Sequence, residues 1–149
     1  VYAMVAIFIY LLVSFGSFFT TLVILLPVAV GSIWMLGIMD LLGVSFNLAN
    51  LVILPLIIGI GVVNGVHIVH RYREEADKSV NVLSKSTGNG VILSSLTTMI
   101  GFGSLMVADH QGVYSLGLVL TLGVGCCLLA SITLLPSILE LYTAKKWKL

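Results

Sequence analysis

Three polar side chains interrupt a long apolar stretch of the chain at helical spacing. They are Asn64, His67 and His70, within the segment 59–75. At about 100° per residue, Asn64 and His70 lie roughly 60° to either side of His67, so the three share one helical face. An imidazole binds and releases a proton near neutral pH, whereas an amide only donates and accepts hydrogen bonds. This face therefore carries groups suited to proton relay or to interhelical hydrogen bonding.

The surrounding composition places this face inside a membrane. The chain is 59% hydrophobic and 9% charged, which is outside the range of a soluble globular domain and predicts an all-α polytopic membrane protein. Polar side chains at membrane depth face a bundle interior or a water-filled cavity, and often mark a transport pathway. Two simpler interpretations stay open. His70 can extend to the membrane interface beside Arg71, and Asn64 and His67 can bond a neighbouring helix without a transport role.

The apolar runs predict one partial and four full membrane spans. They cover about residues 1–13, 18–39, 51–70, 90–108 and 113–139. The first run is shorter than the roughly 20 residues that a spanning helix needs. It also has no initiator Met and no basic leader, so we expect the chain to be the C-terminal membrane bundle of a longer protein.

A second polar face occurs on the fourth predicted span. Ser94, Thr97 and Thr98 lie together there with Gly101. If this span packs beside the span 51–70, the hydroxyls would extend a relay from Asn64 and His67. The alternative is that they bond their own helix backbone or line a helix contact, as Ser and Thr commonly do in membrane helices.

Small residues predict where the helices approach each other closely. Gly61 and Gly65 have the spacing of a small-xxx-small packing motif. The predicted packing glycines are Gly59, Gly61, Gly65, Gly101, Gly117 and Gly125. Cys126 and Cys127 are adjacent within an apolar run, which favours small apolar fillers over a disulfide or a metal site.

The basic residues predict the orientation of the chain. All seven Lys and Arg fall in the polar segment 71–87, which is expected to form an amphipathic helix on the membrane surface, or in the tail 140–149. The predicted spans place both segments on one side, and the positive-inside rule makes that side cytoplasmic. Asp109 and Glu140 end spans and are expected at the interface. The predicted cytoplasmic anchor consists of Arg71, Arg73, Glu74 and Glu75.

Signatures of catalysis do not occur in the sequence. It contains no HExxH metal motif, no phosphate-binding loop with a lysine and no serine nucleophile elbow. We expect no enzymatic activity, no metal, no cofactor and no nucleic-acid partner.

The segment 59–75 resembles a signature of the RND superfamily. The matching residues are Gly59, Gly61, Val62, Arg71, Tyr72, Arg73, Glu74 and Glu75. They correspond to the second-half motif of the branch that holds the MMPL-type lipid exporters and the hopanoid exporters. Segments 95–105 and 110–117 resemble the next span and the start of the last span of that family.

The resemblance implies a transporter with two halves, each carrying a large periplasmic domain after its first helix. This chain would hold the last five helices of the second half, in a bacterial inner membrane. Proton flow would drive export of a lipid, hopanoid-like, or of another hydrophobic molecule. The implied partners are the lipid bilayer, the substrate, protons and the N-terminal half of the same chain, and homo-oligomerisation stays open.

One departure from the family pattern bears directly on proton coupling. The intramembrane Asp of the family falls on Val63, and the residue after it falls on Asn64. Since valine cannot carry a proton, either the N-terminal half supplies the acid or His67 replaces it. We favour the first, with Asn64, His67 and Thr97 or Thr98 hydrogen-bonded to that acid. The alternative function is a non-transporting module, of sterol-sensing or translocase-accessory type.

Overall fold

The structure, a computed structural model, describes residues 2–45, 47–76 and 85–146. In those residues the chain forms five α-helices and one 3₁₀ turn. Their bounds are α1 Tyr2–Phe15, α2 Phe18–Leu41, α3 Leu48–Ala76, α4 Lys85–Gly103 with the 3₁₀ turn Ser104–Val107, and α5 Gln111–Lys146. Four helices are long and apolar enough to span a membrane, and α1 is a shorter apolar helix. The prediction of an all-α polytopic membrane protein is confirmed.

Short turns connect the first helices because local residues satisfy the helix ends. Gly16 adopts a positive φ of 60° after α1, a conformation that costs glycine little. Ser17 then caps α2 by accepting a hydrogen bond from the backbone N–H of Thr20 at 3.5 Å. Gly43 repeats the positive φ, at 65°, just beyond the end of α2. These turns set α1 against α2 and reverse the chain toward α3.

The membrane helices extend further than the apolar runs. α3 begins at Leu48 and continues without a break through Arg71 to Ala76, so the start of the predicted surface segment 71–87 belongs to the spanning helix. Residues 77–84 of that segment lie outside the described residues. α4 begins at Lys85. At the other side of the bundle, α2 includes Asp40 and Leu41 of the predicted loop.

Helix α5 forms the centre of the bundle and packs against α2, α3 and α4. It approaches the backbone of α2 closely, since a Cβ placed on Gly31 would lie 2.7 Å from the Cα of Cys127. Both cysteines are buried and carry free thiols. They fill space between helices, because a larger side chain on either helix would force the two backbones apart.

Helix α4 lies at the edge of the bundle. In its most apolar stretch 11% of the residues are buried, against 56% for α5. One side of α4 packs on α3 and α5, and the remaining sides face away from the described bundle. The polar residues of α3 and α4 therefore meet at the margin of the bundle.

Candidate functional site

Asn64 and Ser95 form a buried polar contact between α3 and α4. The Nδ2 of Asn64 donates to the Oγ of Ser95 at 3.1 Å, and the Ser95 hydroxyl has the Asn64 Oδ1 within reach at 3.4 Å. Asn64 is 4% exposed and Ser95 is 1% exposed. A buried amide away from water needs such partners, so this pair fixes the two helices relative to each other.

Val63 and His67 lie on α3 beside this contact, on the exposed side that borders α4. Val63 is 51% exposed and His67 is exposed. Within the described part of the chain, no hydrogen bond involves the His67 imidazole. His67 is five residues before Tyr72, where the α3 span ends, which places it about 7.5 Å inside the span. Its two ring nitrogens are therefore available to a group outside this bundle.

The hydroxyl face predicted on α4 makes hydrogen bonds within its own helix, whereas Asn64 bonds a neighbouring helix. The hydroxyls of Thr97 and Thr98 donate to the backbone carbonyl of Ser94, at 2.8 and 2.9 Å. Ser94 and Thr97 are exposed, and Thr98 is half-buried. Both threonine hydroxyls thus donate within their own helix, as the second interpretation of this face expects, and their place in a relay stays a prediction.

Two basic residues, His70 and Arg71, lie at the end of the α3 span, which closes at Tyr72. His70 and Arg71 are both exposed. The next residue, Tyr72, donates its phenolic hydroxyl to the carbonyl of Leu139 on α5 at 3.1 Å. This bond joins the last turn of the α3 span to α5. The side chains of Arg73, Glu74 and Glu75 lie outside the described residues, so their predicted anchoring role stays a prediction.

Two adjoining cavities follow the line between α3 and α4. The first has a volume of about 330 Å³. Its lining includes His67, His70 and Arg71 from α3 and Gly90, Val91 and Ser94 from α4. The second has a volume of about 400 Å³, lies deeper along the two helices and is lined mostly by apolar groups between Pro55 and Val63. Asn64 and Ser94 line both, so one cleft runs from the basic end of α3 toward the middle of the span.

The glycines named from the sequence separate into two groups. Added Cβ atoms on four of them would come within 3.2 Å of other residues, on α2, on α5 or on the α4 end. These four are Gly61, Gly65, Gly117 and Gly125. A Cβ on Gly59 or Gly101 would meet no atom within 4 Å. The second group thus lies on the side of α3 and α4 that the described bundle leaves uncovered.

Two contacts of the site did not follow from the sequence reasoning. Ser95 was not among the predicted residues, because the face chosen on α4 was that of Ser94, Thr97 and Thr98. The adjacent pair Ser94–Ser95 was the available signal, since one of two neighbouring hydroxyls must lie about 100° away from the other. Tyr72 was named only for its match to a family motif, and nothing in the spacing indicated its bond to Leu139.

The described residues do not form a metal-binding cluster. No group of three His, Cys, Asp or Glu side chains in residues 2–45, 47–76 and 85–146 is close enough to hold an ion. The chemistry that these residues offer is hydrogen bonding, proton exchange at imidazole and attraction of anions at the end of α3.

Comparison with protein families gives a match over nearly the whole chain. The model of the MMPL family matches residues 1–148. The resemblance inferred from the segment 59–75 and the later spans is therefore confirmed. No solved structure matches the chain at a significant level.

Curated relatives cover most of this chain but are themselves much longer. A membrane protein of Methanocaldococcus jannaschii is 34% identical over 142 residues, 91% of this chain and 37% of its own length. The hopanoid transporter HpnN of Burkholderia multivorans is 34% identical over 134 residues, 90% of this chain and 15% of its own. Protein patched homolog 2 of Homo sapiens is 31% identical over 134 residues, 86% of this chain and 11% of its own.

Proposed function

Because this chain belongs to the MMPL family, we propose that it is the C-terminal membrane bundle of a transporter that moves lipids or other hydrophobic molecules. The observation that carries the proposal is the family match over residues 1–148, together with the similarity to a hopanoid transporter over 90% of the chain. The chain spans only 15% of that relative's length, and the proposal places the rest of the transporter in sequence outside these residues. A hopanoid or a similar flat, apolar lipid is the substrate class that this similarity favours.

Proton coupling is the second part of the proposal. The exposed side of α3 and α4 carries His67 with Val63 one turn earlier, and neither is covered by the described bundle. An imidazole near the end of a span is costly beside lipid, which favours a protein partner on this side. We place there a titrating acid from the preceding part of the transporter, hydrogen-bonded to His67. The alternative, in which His67 itself carries the proton, uses the same side of the helix.

The proposed orientation follows the basic residues. His70 and Arg71 mark the end of the α3 span, and α4 begins at Lys85. By the positive-inside rule this end faces the cytoplasm, as does the C-terminus, in a bacterial inner membrane. His67 then lies about 7.5 Å inside the cytoplasmic boundary.

The test is transport by the full-length protein in liposomes. The protein is reconstituted with a radiolabelled hopanoid, and a proton gradient is imposed across the membrane. The proposal expects hopanoid movement to acceptor vesicles that depends on the gradient and stops when a protonophore collapses it. Movement that is the same with and without the gradient would contradict proton coupling, and no movement of the hopanoid or of phospholipid would contradict transport.

A non-transporting module is the second candidate. The observation that favours it is Val63, an apolar residue at the place where the resembled family carries its intramembrane acid. Such a module, of sterol-sensing or translocase-accessory type, would bind a lipid or a partner without using a proton gradient. In the same liposomes it would retain hopanoid binding and show no gradient-dependent movement.

A further inference from the structure

Ser95 is a buried residue of α4 that contacts the polar face of α3. Its Oγ accepts from the Nδ2 of Asn64 at 3.1 Å, and the same hydroxyl has the Asn64 Oδ1 as an acceptor at 3.4 Å. The hydroxyl therefore both accepts and donates, and the two ends of the Asn64 amide share one partner. Both side chains are buried within the described bundle, so the bond needs no further part of the protein to enclose it.

The glycine contacts of α3 set its distance from the bundle more than its rotation. A Cβ added to Gly61 would lie 3.2 Å from the Cys127 sulfur, and a Cβ added to Gly65 would lie 3.0 Å from Ile24. Glycine brings the backbones close but has no side chain that interlocks with a neighbouring helix. A hydrogen bond is directional and weakens steeply below about 120°. The buried bond to α4 therefore adds a restraint on the rotation of α3 that the glycines do not supply.

The rotation of α3 decides where the His67 imidazole lies. His67 is three residues after Asn64 on the same helix, about 60° around it and about 4.5 Å further along. The ring makes no hydrogen bond to the described residues, so the backbone of α3 and the His67 rotamer alone set its position. The tip of a helical side chain lies about 6 Å from the axis, so a rotation of about 10° moves it by about 1 Å. A shift of that size separates a donor and an acceptor that meet at about 3 Å.

We propose that Ser95 is a positioning residue for proton exchange at His67. It holds Asn64, and through Asn64 the rotation of α3, so that the imidazole meets the acid that the proposed function places on that side. This inference rests on the proposed function. Neither Ser95 nor Asn64 titrates, so both act on the proton only through the position of the ring.

Chemical modification of the histidines measures the position of the ring. Diethylpyrocarbonate reacts with neutral imidazole, and peptide mass spectrometry gives the rate at each histidine in one sample of the full-length protein. At about pH 8, where imidazole is mainly neutral, the His67 rate is divided by the His110 rate. Without the Ser95 hydroxyl the ring should leave its partner more often. We expect Ser95→Ala to raise the ratio about threefold to twentyfold, the factor that one hydrogen bond between membrane helices corresponds to.

Further variants separate positioning from stability. Ser95→Thr keeps a hydroxyl and should restore the wild-type ratio. If its added methyl group lowers the yield, the exchange of Asn64→Ser with Ser95→Asn supplies the same two groups. Leu11→Ala should lower stability by leaving a cavity on α1, which among the described residues packs on α2 and α3 but not on α4. Ser104→Ala removes an exposed hydroxyl just after α4 that bonds the Gly101 carbonyl. Both of these controls should leave the ratio unchanged.

The two readouts fail separately. An unchanged ratio in well-folded Ser95→Ala, or an equal rise in Leu11→Ala, would overturn the positioning role. Gradient-dependent hopanoid movement, measured on the same preparations, should fall in Ser95→Ala and recover in Ser95→Thr. If the wild type shows no gradient-dependent movement, the proposed function fails, and the modification ratio still decides whether Ser95 positions the ring.

Discussion

The Nδ2 of Asn64 on α3 donates to the Oγ of Ser95 on α4 at 3.1 Å, across 31 positions of sequence. Both side chains are buried, so the bond fixes the rotation of α3 relative to α4. With Asn64 turned toward α4, His67 is left on the exposed side of the same helix. The amide and the imidazole therefore meet different surroundings, one buried and one exposed, although they share one face in the sequence pattern.

The Asn64–Ser95 bond should contribute measurably to the stability of the helix pair. Interhelical hydrogen bonds in membranes contribute about 0.6 kcal/mol on average and up to about 1.7 kcal/mol. We expect a coupling free energy in this range from a double-mutant cycle of Asn64→Ala and Ser95→Ala, measured by reversible unfolding. Ser104→Ala provides the control, because that exposed hydroxyl bonds the Gly101 carbonyl of its own segment. A coupling free energy of zero would show that the two side chains act independently.

Gly31 should be the least tolerant glycine of α2. A methyl group there would lie 2.7 Å from the Cα of Cys127 and 2.8 Å from its backbone nitrogen, so backbone atoms must move. We expect Gly31→Ala to lower the free energy of unfolding by about 1–3 kcal/mol, as for overpacking elsewhere. Gly37→Ala, on the same helix with no atom within 4 Å, should be neutral or slightly stabilising. Equal stability of the two variants would show that α2 and α5 are not in close contact at Cys127.

Tyr72→Phe should loosen the attachment of the α3 end to α5. The substitution removes the bond from the phenolic hydroxyl to the Leu139 carbonyl and keeps the ring. A typical hydrogen bond contributes about 1 kcal/mol, and we expect a loss of that order in thermal unfolding. Tyr114→Phe, at an exposed tyrosine of α5, should change the melting temperature little. If both variants melt as the wild type does, the Tyr72 bond contributes nothing to stability.

Thr97→Val and Thr98→Val should leave transport nearly unchanged. Both hydroxyls donate to the Ser94 carbonyl, so neither is a donor to an acid outside the bundle. The measurement is gradient-dependent hopanoid movement by the reconstituted full-length protein, with expression levels as the control for folding. A loss of tenfold or more in either well-folded variant would restore the threonines to the relay.

The sequence was sufficient for the class and the number of spans, because burial in lipid demands long apolar helices whatever their packing. The sequence did not predict where a helix ends when the residues beyond the apolar run also favour a helix. α3 continues through Arg71 to Ala76 since no Pro or Gly ends it there, although hydropathy falls at that point. Which glycines make contacts depends on tertiary packing. A Cβ added to Gly61 would lie 3.2 Å from the Cys127 sulfur, whereas a Cβ added to Gly59, two residues earlier, would meet no atom within 4 Å.

The dependence on tertiary packing also explains which residues of the site the sequence did not predict. Helical periodicity predicts that Asn64 and His67 share one face of α3. The face from Asn64 to His70 is about 120° wide, so one part of it can be buried against α4 while another part is exposed. Ser95 was overlooked because periodicity does not say which of two adjacent serines turns toward a neighbouring helix. The exposed position of His67 depends on how α3, α4 and α5 pack, which no local pattern specifies.

Proton-driven transport by a His67→Ala variant tests the central claim most directly. The full-length protein and the variant are reconstituted at matched amounts, and hopanoid movement is measured with and without a proton gradient. His110→Ala, in the exposed turn before α5, is the matched imidazole control. The account predicts that His67→Ala loses most gradient-dependent movement while its melting temperature and yield stay close to wild type, and that His110→Ala retains it. Full gradient-dependent movement in a well-folded His67→Ala variant would contradict the role of this imidazole in coupling.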